Sequence, residues 1–270
     1  MAFFLRDYMA TALTRQPAKS FVNCEVSYIQ REGIDFQHAV RQHEGYCRAL
    51  KQMGVEVETL LPEDPYPDSV FVEDNAIILD ELAVVTSMGP GSRQGEPALL
   101  VPVLSRYRRI VHIAPPATIE GGDVLRIGKR LYVGLSARTD HAGVEALRAI
   151  AEPFGYVVHP IEVQGCLHLK TACAPLDDET LLVNSSWINV EALGSFRLLP
   201  VPASEPFGAN VLRLERGVLA NASYPLTLTM IEAQGYPVTG VDISEFSKAE
   251  AGLTCLSLMI DSNHVMSGST

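Results

Sequence analysis

Three residue types that together perform covalent catalysis lie far apart along the chain: Cys255 in GLTCLS (252–257), His168 in LHLKTAC (167–173) and Glu120 in EGGD (120–123). In such a set a thiolate attacks an electrophilic carbon, an imidazole moves protons, and a carboxylate orients and polarises the imidazole. Each residue also has an ordinary explanation. Free cysteine is among the most buried residue types, and Cys255 lies in the apolar run LTCLSLMI. His168 alternates with Leu167 and Leu169, as a core histidine does. Gly121 and Gly122 suit a simple turn, and equally a backbone that must approach a ligand closely.

A second group of residues is acidic: Asp68, Glu73 and Asp74, within PDSVFVEDN (67–75). They read as the solvated edge of a strand, or as partners for a planar guanidinium, whose fork of N–H donors carboxylates match bidentately. A peptidase-like Cys-His site needs no carboxylate pair beside its substrate. The chain has no HExxH and no CxxC, which argues against a zinc site, and no GxxxxGK[ST] or GxGxxG, which argues against phosphoryl and hydride transfer. No metal or cofactor is expected.

The elements that must bring these residues together form a repeat. DFQHAVRQHEGYCRALKQMG (35–54) spaces its apolar residues as a helix, and VEVETLL (55–61) follows as a strand. The same junction recurs at ALLVPVLSRY into RRIVHIA, GVEALRAIAEPFG into YVVHPIEV, WINVEALG into SFRLLPV, and LTLTMIEAQG into YPVTGVDI. The turns, at Gly54, Arg108, Gly155, Ser195 and Gly235, recur about every 40–55 residues, a propeller-like or solenoid period. Between them lie paired strand candidates: VFVEDNAII with LAVVTSM, GDVLRIG with RLYVGLS, LHLKTACAP with TLLVNSS, and NVLRLE with GVLANAS. Each unit therefore reads as two strands, a helix and a strand. LTCLSLMI supplies a strand with Cys255 at its inner end, and an N-terminal strand near FVNCEVSYI (21–29) is expected to close the ring. The pattern predicts one α/β domain over residues 1–270. Around its pseudo-axis, Asp68, Glu73, Asp74, Glu120, His168, Asn210 and Cys255 should face one another. Buried charge is costly unless paired, so a purely structural ring would not be built from them.

The bulk properties narrow the partners. A chain of 270 residues, 47% hydrophobic and 20% charged, buries a sizeable core. The net charge of −11 and short basic clusters such as Arg106, Arg108 and Arg109, without interleaved aromatics, argue against nucleic acid and favour a cationic substrate. No apolar stretch approaches a membrane span, and Arg6 and Asp7 interrupt the apolar N-terminal residues. The five cysteines, Cys24, Cys47, Cys166, Cys173 and Cys255, are odd in number and scattered, so a reducing cytoplasm is expected.

Five blocks then carry a family likeness: DSVFVEDNAII (68–78), GSRQGE (91–96), EGGDVLRIGKRLYVGLSARTDHAG (120–143), LHLKTAC (167–173) and GLTCLS (252–257). In order and approximate spacing they resemble the dimethylarginine dimethylaminohydrolases of the guanidino-group-modifying superfamily. The resemblance implies a five-bladed α/β propeller of ββαβ repeats, the pentein fold. It implies Cys255 as nucleophile, His168 as general acid and base, and Glu120 as the carboxylate behind the histidine. It further implies Glu73 and Asp74 as the guanidinium clamp, Asp68 as a contact to the α-ammonium, Arg93 and Arg138 as contacts to the α-carboxylate, and the Ala249 carbonyl as a substrate contact. The implied reaction is hydrolysis of Nω-methylated L-arginine to citrulline and a methylamine through a covalent thiouronium, with no cofactor. An arginine deiminase-like or amidinotransferase-like activity on another guanidine, or a non-catalytic guanidine-binding relative, remains the alternative. The family also carries a mobile substrate flap near the position of Val26. The expected partner is a small guanidino amino acid, with a homodimer left open.

Overall fold

The computed structural model describes residues 10–261. The described chain opens with β1 (Thr11–Arg15), then the helix α1 (Phe36–Gln52) and β2 (Glu56–Leu60). Asp35 caps α1 by accepting from the His38 amide at 3.0 Å. Ala39, Gln42, His43, Tyr46, Ala49 and Leu50 recur at helical spacing on its buried face, and Gly54 at φ +84° turns the chain into β2. Burying a side chain such as Leu50 contributes about 1.5–3 kcal/mol.

Four further units follow. The first is β3 (Ala76–Ile78), β4 (Leu82–Val85), the short α2 (Val101–Leu104) and β5 (Arg109–His112). The second is β6 (Val124–Ile127), β7 (Arg130–Leu135), α3 (His141–Ala151) and β8 (Val157–Glu162). The third begins with a helical turn, α4 (Leu169–Ala172), and continues through β9 (Cys173–Pro175), β10 (Thr180–Val183) and β11 (Arg197–Pro200). The fourth is β12 (Leu212–Leu214), β13 (Gly217–Asn221), α5 (Pro225–Ala233) and β14 (Val238–Val241). After a last turn, α6 (Ser244–Ser247), β15 (Leu258–Ile260) ends the described chain.

Each unit is a three-stranded sheet in which the middle strand pairs antiparallel to the strand before it and parallel to the strand after the crossover. The fifth sheet joins the two ends of the described chain. β15 pairs antiparallel with β1, Thr11 opposite Ile260, and β1 pairs parallel with β2, Thr11 opposite Glu56. These five sheets are the blades of a five-bladed α/β propeller. Apolar clusters fill the space between neighbours: Ile77 and Val84 of one blade meet Val124 and Val133 of the next under Val144 and Leu147 of α3.

The structure corrects four details of the expected repeat. The ring is closed by Thr11–Arg15, every residue of which is buried, and not by residues 21–29. That stretch holds a 3₁₀ turn, Lys19–Asn23, followed by irregular chain whose amides bond to side-chain carboxylates instead of a ladder. The helix expected in WINVEALG is a 3₁₀ turn, Val190–Leu193. Asn189 caps it and Gly194 at φ +76° ends it after four residues, too few to build an α-helical ladder. The helix expected in ALLVPVLSRY is reduced to the 3₁₀ turn Pro97–Leu99 and the single turn of α2, because Pro102, inside the expected helix, has no N–H to continue the ladder. Finally, Cys255 is not on a strand. It occupies a 3₁₀ turn, Thr254–Leu256, and only Leu258–Ile260 of LTCLSLMI is extended.

Candidate active site

The last correction belongs to a common design. Before its first strand, each catalytic blade carries one short helical turn, and the site residues lie on or beside these turns. Glu73 and Asp74 occupy the turn Val72–Asn75, Glu120 precedes Gly121–Asp123, His168 precedes Leu169–Ala172, and Cys255 lies in Thr254–Leu256. A turn at this point lifts the side chains out of the sheet. Leu253 and Leu256, both fully buried, anchor the turn that carries Cys255.

His168 and Glu120 meet: Nε2 lies 2.9 Å from Oε2, and both residues are buried. On its other side, His168 Nδ1 is 4.0 Å from Asp74 Oδ1. Burial alone would depress the imidazole, but Asp74, Asp123 and Glu120 outweigh it and raise the pKa to about 9, so the resting ring is an imidazolium. Asp123 accepts from Ser136 Oγ at 2.6 Å, Thr139 Oγ1 at 2.7 Å and the Leu169 amide at 2.9 Å, which fixes the turn after His168.

The glycine pair in EGGD has a steric reason. A Cβ on Gly121 would meet the Glu73 carbonyl oxygen at 2.0 Å, and one on Gly122 would meet His168 Nδ1 at 2.6 Å and Asp74 Oδ1 at 2.8 Å. Only a chain without side chains fits between the acidic pair and the histidine. The Gly122 amide also donates to Asp74 Oδ1 at 3.2 Å.

Glu73 is paired with Lys170 and accepts from Thr254 Oγ1 at 2.7 Å, which ties it to the residue beside the nucleophile. Burial pushes its carboxyl up. Asp74 is also buried, yet His168, Arg93 and Arg138 together hold its carboxyl below the usual range. Cys255 is pushed up, first by burial and then by the negative charges of Glu73 and Asp74, so its resting form is the thiol.

The two arginines reach the site in different states. Arg93 is buried, with Nε 3.1 Å from Glu96 Oε1, NH2 2.8 Å from Glu96 Oε2 and NH1 3.0 Å from Asp74 Oδ2. Among the described residues, the side chain of Arg138 donates only through NH1, to Glu120 Oε1 at 3.3 Å. Asp68 is buried and accepts from the Glu25 amide at 3.2 Å on each oxygen, and burial raises its carboxyl. Ala249 lies buried in an apolar cluster that also takes in Leu253 and the edge of Cys255. Ligand atoms of Asp74, Glu120 and His168 lie within 4.8 Å of one another, a set able to hold a metal ion. Arg93 and Arg138 already contact those two carboxylates, so a divalent ion there would have to displace guanidinium groups.

With this geometry in place, the likeness to known proteins is specific. A family profile described as N,N dimethylarginine dimethylhydrolase, eukaryotic, matches residues 19–176. The N(G),N(G)-dimethylarginine dimethylaminohydrolase of Pseudomonas aeruginosa is 33% identical over 249 residues, 91% of this chain and 97% of that protein. The chain belongs to the dimethylarginine dimethylaminohydrolase family. The family member of Streptomyces coelicolor is 38% identical over 92% of this chain and 96% of its own. A solved structure of the Pseudomonas aeruginosa dimethylarginine dimethylaminohydrolase, a cysteine-to-serine mutant complexed with citrulline, matches with a TM-score of 0.89 at 32% identity, covering 94% of this chain and 99% of that one.

The blocks shared with the dimethylarginine dimethylaminohydrolases meet at this candidate site, and the structure adds four residues that the sequence alone did not point to. Glu96, Asp123, Lys170 and Thr254 all lie inside the family blocks, each within four residues of a residue that was singled out. Their signal was adjacency on a short turn. Glu96, buried beside Arg93, is pushed up by burial to about 7. Asn210, placed at the axis by the repeat, accepts from the Thr254 amide at 3.2 Å and donates to Thr254 Oγ1 at 3.1 Å.

Proposed function

We propose that this chain hydrolyses Nω-methylated L-arginine, monomethyl or asymmetric dimethyl, to L-citrulline and methylamine or dimethylamine. The observation that carries the reading is geometric: His168 is seated on Glu120 at 2.9 Å and faces Asp74 at 4.0 Å, while Glu73 is bonded through Thr254 to the turn that carries Cys255. The buried acidic side chains of the site outnumber its buried basic ones, which favours a cationic ligand. The name borne by the relatives and the citrulline bound in the Pseudomonas aeruginosa structure support the same substrate class.

The chemistry follows from the charges. A substrate guanidinium settling on Glu73 and Asp74 offsets the negative potential that holds Cys255 as a thiol, and the thiol gives its proton to solvent as the electrophile arrives, leaving the thiolate. The thiolate sulfur attacks the guanidinium carbon and forms the C–S bond. His168 donates its proton to the methylated nitrogen, and the C–N bond breaks to release the amine. His168, now neutral, takes a proton from water, whose oxygen attacks the same carbon. The C–S bond breaks, the proton left on that oxygen is released as the C=O forms, the sulfur regains a proton as the thiol, and citrulline remains. Glu120 keeps the imidazole oriented in both half-reactions. Holding the planar substrate in attack geometry contributes up to about 7–11 kcal/mol when orientation is ideal.

At the amino-acid end, Asp68 takes the α-ammonium and Arg138, with the rest of its fork uncommitted among the described residues, takes the α-carboxylate. Arg93 joins Arg138 there by releasing part of its hold on Glu96, and the Ala249 carbonyl completes the contacts. The five cysteines are free thiols, in keeping with a cytoplasmic setting, and among the described residues no helix is long and apolar enough to cross a membrane.

Product analysis tests the reading. Arginine, its mono- and dimethylated forms, agmatine and guanidinoacetate are incubated with the protein. Citrulline from the methylated arginines, with little turnover of the others, is the expected result. Turnover confined to agmatine overturns the roles of Asp68 and Arg138.

A further inference from the structure

Residues 24–33 cross from Asp68 to Glu250 without regular secondary structure, and backbone amides of this strap end on those two carboxylates. The Glu25 amide donates to both oxygens of Asp68 at 3.2 Å. At the other end, three consecutive amides converge on one side chain. Ser27 donates to Glu250 Oε2 at 2.8 Å, Ile29 donates to Oε1 at 2.8 Å, and Tyr28 donates to the same Oε1. Successive amides arranged in this way form an anion-binding nest, and here the anion is a carboxylate from the far end of the chain.

Glu250 is unusual in its own backbone. Among the described residues it is the one non-glycine residue with positive φ, at +61°, a region where glycine sits without strain and a side chain does not. It is buried, and it follows Ala249 and precedes by five residues the nucleophile Cys255. Its backbone therefore connects the proposed substrate carbonyl to the nucleophile turn, while its side chain holds the strap. Ile29 of the strap, Phe207, Asn210, Tyr224, Glu250 and Gly252 line one cavity of about 200 Å³.

We propose that Glu250 is the latch of this strap: its carboxylate holds residues 27–29 closed over the site and couples closure to the Ala249 carbonyl and the Cys255 turn. It is a positioning residue, acting on substrate through the strap, and the inference rests on the proposed amino-acid substrate. The two ends of the strap have different tasks. Asp68 keeps acceptor capacity for an α-ammonium beside the Glu25 amide, so bound substrate reinforces that end. Glu250 is saturated by the strap and contributes only to closure. A latch made of hydrogen bonds that water replaces on opening is reversible, as repeated substrate entry and product release require.

Hydrogen exchange combined with kinetics tests this in the full chain. Glu250→Gly removes the carboxylate while relieving the positive-φ strain, so it tests the latch in a backbone that folds. Glu250→Gln keeps the shape and removes the charge, and Glu250→Asp keeps the charge one methylene short. In Glu250→Gly the Ser27, Tyr28 and Ile29 amides should exchange at least about tenfold faster, while amides of β1 are unchanged. KM for the methylarginine should rise about tenfold with kcat within about threefold, Glu250→Gln falling between the parent and Glu250→Gly and Glu250→Asp recovering part of the loss. Unchanged strap exchange in Glu250→Gly overturns the latch, as does faster exchange with KM unaltered. Absence of citrulline from every protein, the parent included, overturns the hydrolase reading, and the exchange data then decide the latch by themselves.

Discussion

Thr254 Oγ1 donates to Glu73 Oε2 at 2.7 Å, joining the turn that carries the nucleophile to the carboxylate proposed to hold the substrate's guanidinium. Both residues are buried, so the bond is shielded from water and sets the distance between attacking group and electrophile. Thr254→Val keeps the shape but leaves a buried carboxylate oxygen without its donor, at a cost of about 1–3 kcal/mol. Urea unfolding should report that loss, kcat/KM should fall about tenfold, and Thr254→Ser should restore both. Equal stability and activity in Thr254→Val would mean that the hydroxyl does not hold Glu73.

Cys255→Ser tests the covalent step. A serine hydroxyl at this turn retains the packing of Leu253 and Leu256 but is a far weaker nucleophile. Turnover should drop by about 10³-fold or more while calorimetric affinity for the methylarginine stays within about threefold. Normal turnover would rule out a thiouronium.

Gly122→Ala probes the close approach at the centre. The added methyl would lie 2.6 Å from His168 Nδ1 and 2.8 Å from Asp74 Oδ1, so the ring or the carboxylate must move. Overpacking of this kind costs about 1–3 kcal/mol, and a displaced histidine lowers kcat on the order of 100-fold. Measured kcat equal to that of the parent would show that the loop yields without disturbing His168.

Stability should depend on pH through His168. Its pKa rises from 6.5 to about 9 on folding, so the folded state binds this proton more tightly than the unfolded state. That contribution is fully present below the unfolded value and is lost as pH rises through about 9, a span worth about 3 kcal/mol. The difference in urea midpoint between the parent and His168→Gln isolates it: the gap should be widest near about pH 6 and narrow above about pH 9. A gap that stays constant would contradict a charged resting histidine.

The blades were legible because they rest on local signals, and the candidate site residues were nominated by the family blocks around them. Helix-to-strand junctions show as a change of apolar period, and the turn glycines Gly54, Gly155 and Gly235 take positive φ where the sequence placed the turns. Where the local signal was ambiguous, the reading failed. FVNCEVSYI alternates enough for a strand, yet its amides found Asp68 and Glu250 as partners, and TALTR, fully buried between two strands, closed the ring instead. LTCLSLMI looks uniformly extended, yet its first half turns.

By itself, the sequence determined the fivefold repeat, since each junction requires only neighbours a few positions away, and through its family blocks it nominated the candidate site residues. Only the tertiary structure decided who neutralises whom. His168 meets Glu120 across 48 residues, the Gly122 amide meets Asp74 across another 48, and Thr254 meets Glu73 across 181. Whether Arg93 faces Glu96 or a substrate, and whether Glu250 is a solvated acid or the anchor of a strap, depends on packing among segments distant in the chain. The energy of a buried charge is set by the groups placed around it, and those groups become neighbours only when the ring closes.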